Sequence, residues 1–547
     1  MCAEKITTSD IKSAEKLLGI TYSKSEREQM VQNLEGQILS AKLRRGIELD
    51  NTTPMASKFD PRLPGFQMPS RSDIKLQKRD IKLPKNKEDI AFASIGEQGK
   101  WIKDGLLTSR KLTEIYLERI ESFESKLECF ATVTKDQALA EADAMDLLTS
   151  AKINLGPLHG IPYGLKDLFD TKGVRTGWGA EPYQNRVPVE DAEIVKRLRA
   201  AGAVILGKTT LGALAYNDIW YGGRTKNPWN LNEGSSGSSA GSASATAAAL
   251  CSFAIGTETL GSITSPSQRC GTTGLRPTFG RVSRQGGMAL CWSLDKIGPI
   301  CRSVEDTGIV LSTLNGYDEN DLSSIRAPFN FDTSKNIKDL VIGYLPEAFE
   351  DGATEVDRAA LKVAMSMGAK VKEVKLEDLP YMSLINILYA EAAAAFEHLT
   401  LSDEDDTLTW QDDGAWPNTF RKARFLSAVD HVQLDRLRYL VMKALDNLFS
   451  EIDILIGPFD TGPMLVASNF TGHPCLHLRA GFQKLASRGA ASLGEGKLST
   501  GEAGKGIKFL VPHGISLWGR LFEEEKILNF GIALEKELGV YKKRPDL

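Results

Sequence analysis

Residues 234–266 read GSSGSSAGSASATAAALCSFAIGTETLGSITSP, and no other part of the 547-residue chain is so dense in small residues with hydroxyls at both ends. Glycine and serine at this density let the backbone approach a ligand closely, enter turns with φ above zero and aim amide hydrogens at developing negative charge. A flexible linker draws on the same residues. The middle of the stretch argues against a linker, because residues 243–255 are a largely apolar run that predicts a helix turning into a buried strand. The first hydroxyl cluster then opens a helix and the second follows a strand, so core structure holds both.

Working outward, GPLHGIPYGLKD (156–167) predicts a strand punctuated by glycine and proline that delivers Lys166 directly after the apolar Leu165. The helix pattern AEIVKRLRAAG ends at Gly202, and AVILG (203–207) follows as a buried strand. FATV (130–133), VIGYLP (341–346), 369–375 and IDILIGP (452–458) are further strands alternating with helices at 109–120, 135–149 and 356–367. This rhythm predicts an α/β protein. Residues 9–44 read as two helices, the second opened by a capping box at Ser25 and Glu28 or at Ser23 and Glu26. Residues 45–87 carry Pro54, Pro61, Pro64, Pro69 and Pro84 with little periodicity, which predicts an extended segment over the surface. Residues 380–450 are mainly helical, and 482–506, rich in Gly, Ser, Ala and Lys, read as a mobile loop.

With 42% hydrophobic residues the chain can bury a large core. A formal net charge of −4 argues against a nucleic-acid or acidic-membrane binder, since those carry a basic surplus. Seven scattered cysteines suit reduced thiols, and the N-terminus MCAEKITTSDIKSAEK lacks the apolar core of an export signal. No window approaches the apolar length of a membrane span. The expectation is a cytoplasmic protein acting on a small molecule, with no membrane or nucleic-acid partner. No sequence feature marks a dimer surface, and a homodimer stays open.

A serine nucleophile needs a base, and the chain has six histidines. GSSAG (237–241) has the letters of a nucleophile elbow centred on Ser239, but NPWNLNEG precedes it where that motif needs an apolar strand. A lysine buried among apolar and small groups can serve instead, since desolvation disfavours its ammonium form. Lys166 lies 72 residues before Ser238, and Ser262 lies 24 after it. GIPYGLKD, GSSAGSA and GTETLGSI together resemble the amidase signature family of serine hydrolases, over roughly residues 88–330 with a weaker continuation in TGHP (471–474) and ISLWGRLF (515–522).

The resemblance implies an α/β/α sandwich around a large mixed β-sheet, with residues 1–87 as a helical N-terminal addition plus connector and 88–547 as the amidase signature domain. It implies hydrolysis of a carboxamide without metal or organic cofactor. Ser262 is then the nucleophile, Ser238 and Lys166 the proton relay, and the backbone amides of Thr259, Leu260, Gly261 and Ser262 the oxyanion hole. Two departures fall in that hole: Leu260 replaces a glycine, which predicts a strained or narrowed loop, and Thr264 replaces an arginine, which removes a charged anchor. Glu258 for aspartate and Arg276 for lysine are milder changes. A glutaminase subunit of a tRNA-dependent amidotransferase and a catalytically silent homologue that binds a ligand or partner are the alternatives.

Other features have plainer readings. His473, Cys475 and His477 alternate as metal ligands can, yet no further ligand accompanies them, so core packing is favoured. Met288, Cys291 and Trp292 are read as core in preference to pocket lining, and the acidic run at 403–406 as a solvated loop.

Overall fold

The computed structural model describes residues 6–71, 74–76, 81–350, 352–489 and 507–547. Among them an eleven-stranded mixed sheet runs through the chain. Its strands are β1 (Phe130–Val133), β2 (Pro162–Lys166), β3 (Val204–Thr209), β4 (Phe253–Glu258), β5 (Thr273–Arg276), β6 (Lys296–Cys301), β7 (Val341–Tyr344), β8 (Lys370–Glu373), β9 (Ile454–Pro458), β10 (Cys475–Ala486) and β11 (Lys508–Gly519). The spatial order is β8-β7-β9-β11-β10-β5-β6-β4-β2-β3-β1. Strand β2 pairs parallel with β3 and β4, whereas β5, β6, β10 and β11 are joined antiparallel. Every residue of β2, β3, β4, β5, β6 and β9 is buried, so helices cover both faces of the sheet, as a sandwich requires. At one edge β8 exposes Lys370 and Glu373, charges that discourage pairing with another chain.

Helix α1 (Thr8–Leu18) and helix α2 (Lys24–Arg45) form the N-terminal hairpin. Of the two capping boxes legible in the sequence, the one at Ser23 and Glu26 starts α2. Arg27 locks the hairpin with a two-pronged ion pair to Glu15, and Arg44 ties it to Glu397 on the body. The segment after α2 is extended as expected, but it does more than cover the surface. Phe66 and Met68 pack on Ile325, Leu521 and Phe522, Ile74–Lys75 pairs in parallel with Phe331–Asp332, and residues 51–62 line a large cavity.

Two other expectations change. Residues 482–486 belong to β10 and do not form a loop, because they pair with β11 out to Lys508; residues 490–506 of the expected loop lie outside the described residues. Within the acidic run at 403–406, Asp405 is buried and paired with Arg421, so only its neighbours are solvated. Among the described residues, six cysteines are buried and free, and no helix is long and apolar enough to cross a membrane.

Candidate active site

Strand β2 ends on Lys166, beside Thr209 of β3 in register. Helix α3 (Ala240–Ala247) packs on β2, β3, β4 and β6, and the turn before it carries Ser238 and Ser239. This close seating needs a glycine in β4, since a Cβ on Gly256 would stand 2.7 Å from Ser239 Oγ. The Gly237–Ser238 peptide bond is cis. After β4 the chain turns through residues 259–263 into helix α4 (Thr264–Cys270). The two hydroxyl clusters are stitched together: Ser239 N–H donates to the Ser262 carbonyl at 3.1 Å, and the Ser236 and Ser265 hydroxyls bond at 2.8 Å.

Lys166 is fully buried, with its Nζ 2.8 Å from Ser238 Oγ, 3.0 Å from Ser239 Oγ and 2.8 Å from Thr257 Oγ1. Burial pushes its pKa well below the ordinary lysine value, against the opposing pull of Asp295 and Glu258. In its neutral form the amine has two N–H groups and one lone pair, so in that form one of the three hydroxyls donates to it. Ser239 is unable to, because its hydrogen goes to the Thr257 carbonyl at 3.1 Å. That leaves Ser238 or Thr257 as the hydroxyl whose proton faces the lysine.

The Ser262 hydroxyl has no hydrogen-bond partner among the described residues, and the structure brings Ser262 to this cluster through its backbone. Before substrate binds, catalytic hydrogen bonds are often open and tighten only in the complex. Nor does any oxygen among the described residues accept from the backbone N–H groups of Thr259, Leu260, Gly261 or Ser262. These four donors are therefore unused, as an oxyanion site requires.

Both departures in this loop are accommodated. Gly261 takes the left-handed conformation at φ +89°, whereas Leu260 stays outside it and is buried in the main core, so the expected strain at Leu260 does not arise. Thr264 does not leave the loop unanchored. Its N–H and hydroxyl, with the N–H of Ile263, donate to Glu258 Oε2 at 2.9, 3.0 and 3.0 Å. The other oxygen, Oε1, accepts from Arg276 at 2.6 Å and from Asn469 at 3.0 Å. Burial would raise the Glu258 pKa, but Arg276 and these hydrogen bonds draw it down to about 2. Since Gly261 alone takes a positive φ in this turn, Gly261→Ala is expected to cut kcat by about tenfold or more with little change in KM, measured by steady-state kinetics.

Sequence reasoning missed three contributors. Thr257 touches Lys166, Asp295 accepts from the Thr259 hydroxyl at 2.6 Å, and residues 51–62 wall the cavity. Thr257 had a signal, being one strand position from Glu258. Asp295 and the connector come from distant sequence and had none. The cavity has a volume of about 940 Å³ and reaches Thr257 and Thr259. Leu168, Phe169, Leu290 and Ile297 give it apolar lining beside the polar Asp295, and Met288 and Trp292 also line it, against the expectation that they serve only the core. Cys291 is buried core as expected.

His473 and His477 are also core residues. His473 bonds Thr471 and His477 bonds Ser516 and Gln268, and burial pushes both imidazoles down to about 3, keeping them neutral.

The family model described as Amidase matches residues 111–528. A glutamyl-tRNA(Gln) amidotransferase subunit from Desulfatibacillum aliphaticivorans is 31% identical over 486 residues, 83% of this chain and 99% of that one. The solved structure of native peptide amidase from Stenotrophomonas maltophilia superposes with a TM-score of 0.68 at 26% identity, covering 83% of this chain and 98% of that one. A bacterial aryl acylamidase of the amidase signature family, at 20% identity and a TM-score of 0.68, shares the fold over 83% of this chain and 99% of its own. With a family match over most of its length and a sheet shared with solved amidases, this chain belongs to the amidase signature family and is an enzyme that hydrolyses amide C–N bonds.

Proposed function

We propose that the chain is a stand-alone amidase that works through an acyl-enzyme on Ser262, with residues 88–547 as the catalytic body. The observation that carries this reading is Lys166, buried with its Nζ 2.8 Å from Ser238 Oγ, beside a turn with four unused amide donors. The neutral Lys166 accepts the proton of Ser238 as Ser238 takes that of Ser262, and the Ser262 oxygen adds to the amide carbonyl carbon. Negative charge on the carbonyl oxygen meets the N–H groups of residues 259–262. The relay returns the proton to the leaving nitrogen, the C–N bond breaks and amine departs. Water then adds to the ester through the same relay, releasing carboxylate and restoring Ser262. The chamber of about 940 Å³, with Leu168, Phe169, Leu290 and Ile297 in its lining, favours an amide bearing a sizeable aryl or alkyl group.

A glutaminase subunit of an amidotransferase is the second reading, favoured by the relatives that carry that name. Weighing against it, one wall of the chamber comes from residues 51–62, outside the family match that begins at residue 111. A catalytically silent protein is disfavoured because the loop accommodates both Leu260 and Thr264.

The deciding experiment measures amine release from aryl, aliphatic and peptide amides and ammonia release from glutamine, beside labelling by a small fluorophosphonate. Turnover of bulky amides with label on Ser262 is the expected result. Glutamine hydrolysis only in the presence of a co-purifying subunit favours the second reading, and absence of both turnover and label rejects hydrolysis at Ser262.

A further inference from the structure

The segment 51–62 precedes the family match by about fifty residues in sequence, yet it forms one wall of the chamber that opens on Thr257 and Thr259. It is held there at several points. Asn51 exchanges two hydrogen bonds with the backbone of Ala289, accepting from its N–H and donating to its carbonyl, both at 2.8 Å. Phe59 packs edge-on against Phe279 with ring centroids 5.1 Å apart, and the Arg438 guanidinium lies over its face at 3.5 Å. Pro61 abuts Gly472 so closely that a Cβ there would stand 2.9 Å from the proline ring.

Arg438 is itself fixed. It lies on helix α5 (Ala428–Glu451), is 2% exposed, and donates to the Phe470 carbonyl and to the hydroxyl and carbonyl of Ser293. The connector is thus a standing wall attached to the catalytic body at both ends of the stretch. The side chains it gives the chamber include Met55 and Phe59, and Tyr439 and Met442 of α5 also line it. An aromatic ring and two thioethers lining one chamber make a surface suited to a flat aryl group or an alkyl chain, held by contact area and by sulfur–ring contacts.

Resting on the amidase reading, we propose that residues 51–62 determine substrate choice, with Phe59 and Met55 binding the apolar group that the amide carries away from its reacting carbonyl. Small amides engage the turn at 259–262 without touching this wall. Amides with an extended aryl or alkyl group gain affinity from it.

The test separates binding from chemistry by using the full-length chain in a Ser262→Ala background, with hexanoyl 2-naphthylamide as the probe and its fluorescence as the readout. Phe59→Ala is expected to weaken the probe's Kd by about tenfold and Met55→Ala by a few-fold. Phe59→Leu regains part of the loss, and Leu147→Ala, at a side chain 73% exposed on the helix Lys135–Ser150, changes nothing. Should Phe59→Ala lose its cooperative thermal transition, Met55→Ala and Phe59→Leu carry the comparison. An unchanged Kd in the folded wall variants, or no binding of the naphthylamide to the background protein, overturns the proposal. If the naphthylamide binds with the expected dependence while the unmutated chain neither releases 2-naphthylamine nor takes the fluorophosphonate, the hydrolytic reading fails and the wall stands.

Discussion

Lys166→Ala is expected to lower amide turnover by about 10³- to 10⁴-fold with the chain still folded, because it removes the base of the relay. Ser262→Ala is expected to fall to the same residual rate. The double variant is then no worse than either single one, since groups that act as a unit are not additive. Lys166→Arg does not rescue activity: a guanidinium keeps its proton and has no lone pair to offer Ser238. The pH profile of kcat/KM gives an independent readout. Burial sets the Lys166 pKa well below the ordinary lysine value, so the amine is already neutral at pH values where an exposed lysine is charged. Activity is lost as pH falls through that depressed pKa and rises to a plateau above it. A wild-type profile that still climbs toward pH 10.5, the ordinary lysine value, would show that Lys166 is charged at rest and rule out this base.

Arg276→Met carries the second large effect, this time on stability. Arg276 and Glu258 are both fully buried and meet at 2.6 Å, and removing one partner of such a pair costs about 3–5 kcal/mol because the other charge is stranded. The loss would appear as a lower unfolding midpoint in urea. It would also reach the turn, since Glu258 holds the N–H groups of Ile263 and Thr264, and kcat is expected to drop by about 100-fold. Arg276→Lys should regain much of the stability, because an ammonium can still face Glu258, but it forfeits the bonds to Ser468 Oγ and the His473 carbonyl.

The pH dependence of stability follows with a definite sign. A carboxylate at about 2 when folded and at its ordinary 4.5 when unfolded contributes about 3 kcal/mol above pH 4.5, and loses it as pH falls toward 2. Glu258→Gln removes that dependence, which an unfolding series between pH 2 and 5 would reveal.

What the sequence disclosed is what spacing and polarity can encode. Lys166 stands at the end of an apolar strand, and the hydroxyl clusters flank a helix–strand unit, so the meeting of lysine and serines was legible from local pattern. Leu260 and Thr264 were misjudged because a residue type alone does not report the backbone it sits on. Leu260 avoids the left-handed region by leaving it to Gly261, and Thr264 anchors the loop through its own N–H and hydroxyl to Glu258. Met288 and Trp292 face a cavity because residues 51–62 stand opposite, a pairing of segments far apart in the chain. Strand β10 runs past the end its sequence suggests: residues 482–486, FQKLA, lead into the Gly-, Ser- and Lys-rich stretch and read with it, but their register with β11 keeps them paired.

The Glu258 arrangement also constrains the order in which substitutions can accumulate. One carboxylate here serves Arg276 through one oxygen and the start of α4 through the other. Installing an arginine at 264 while Arg276 remains would crowd two guanidinium groups around a single buried carboxylate. Losing Arg276 first would strand that carboxylate. Lysine at 276 is the step that keeps a cation on Glu258 while position 264 changes. Grafting this turn into a relative, or a relative's turn into this chain, therefore involves 258, 264 and 276 as one unit.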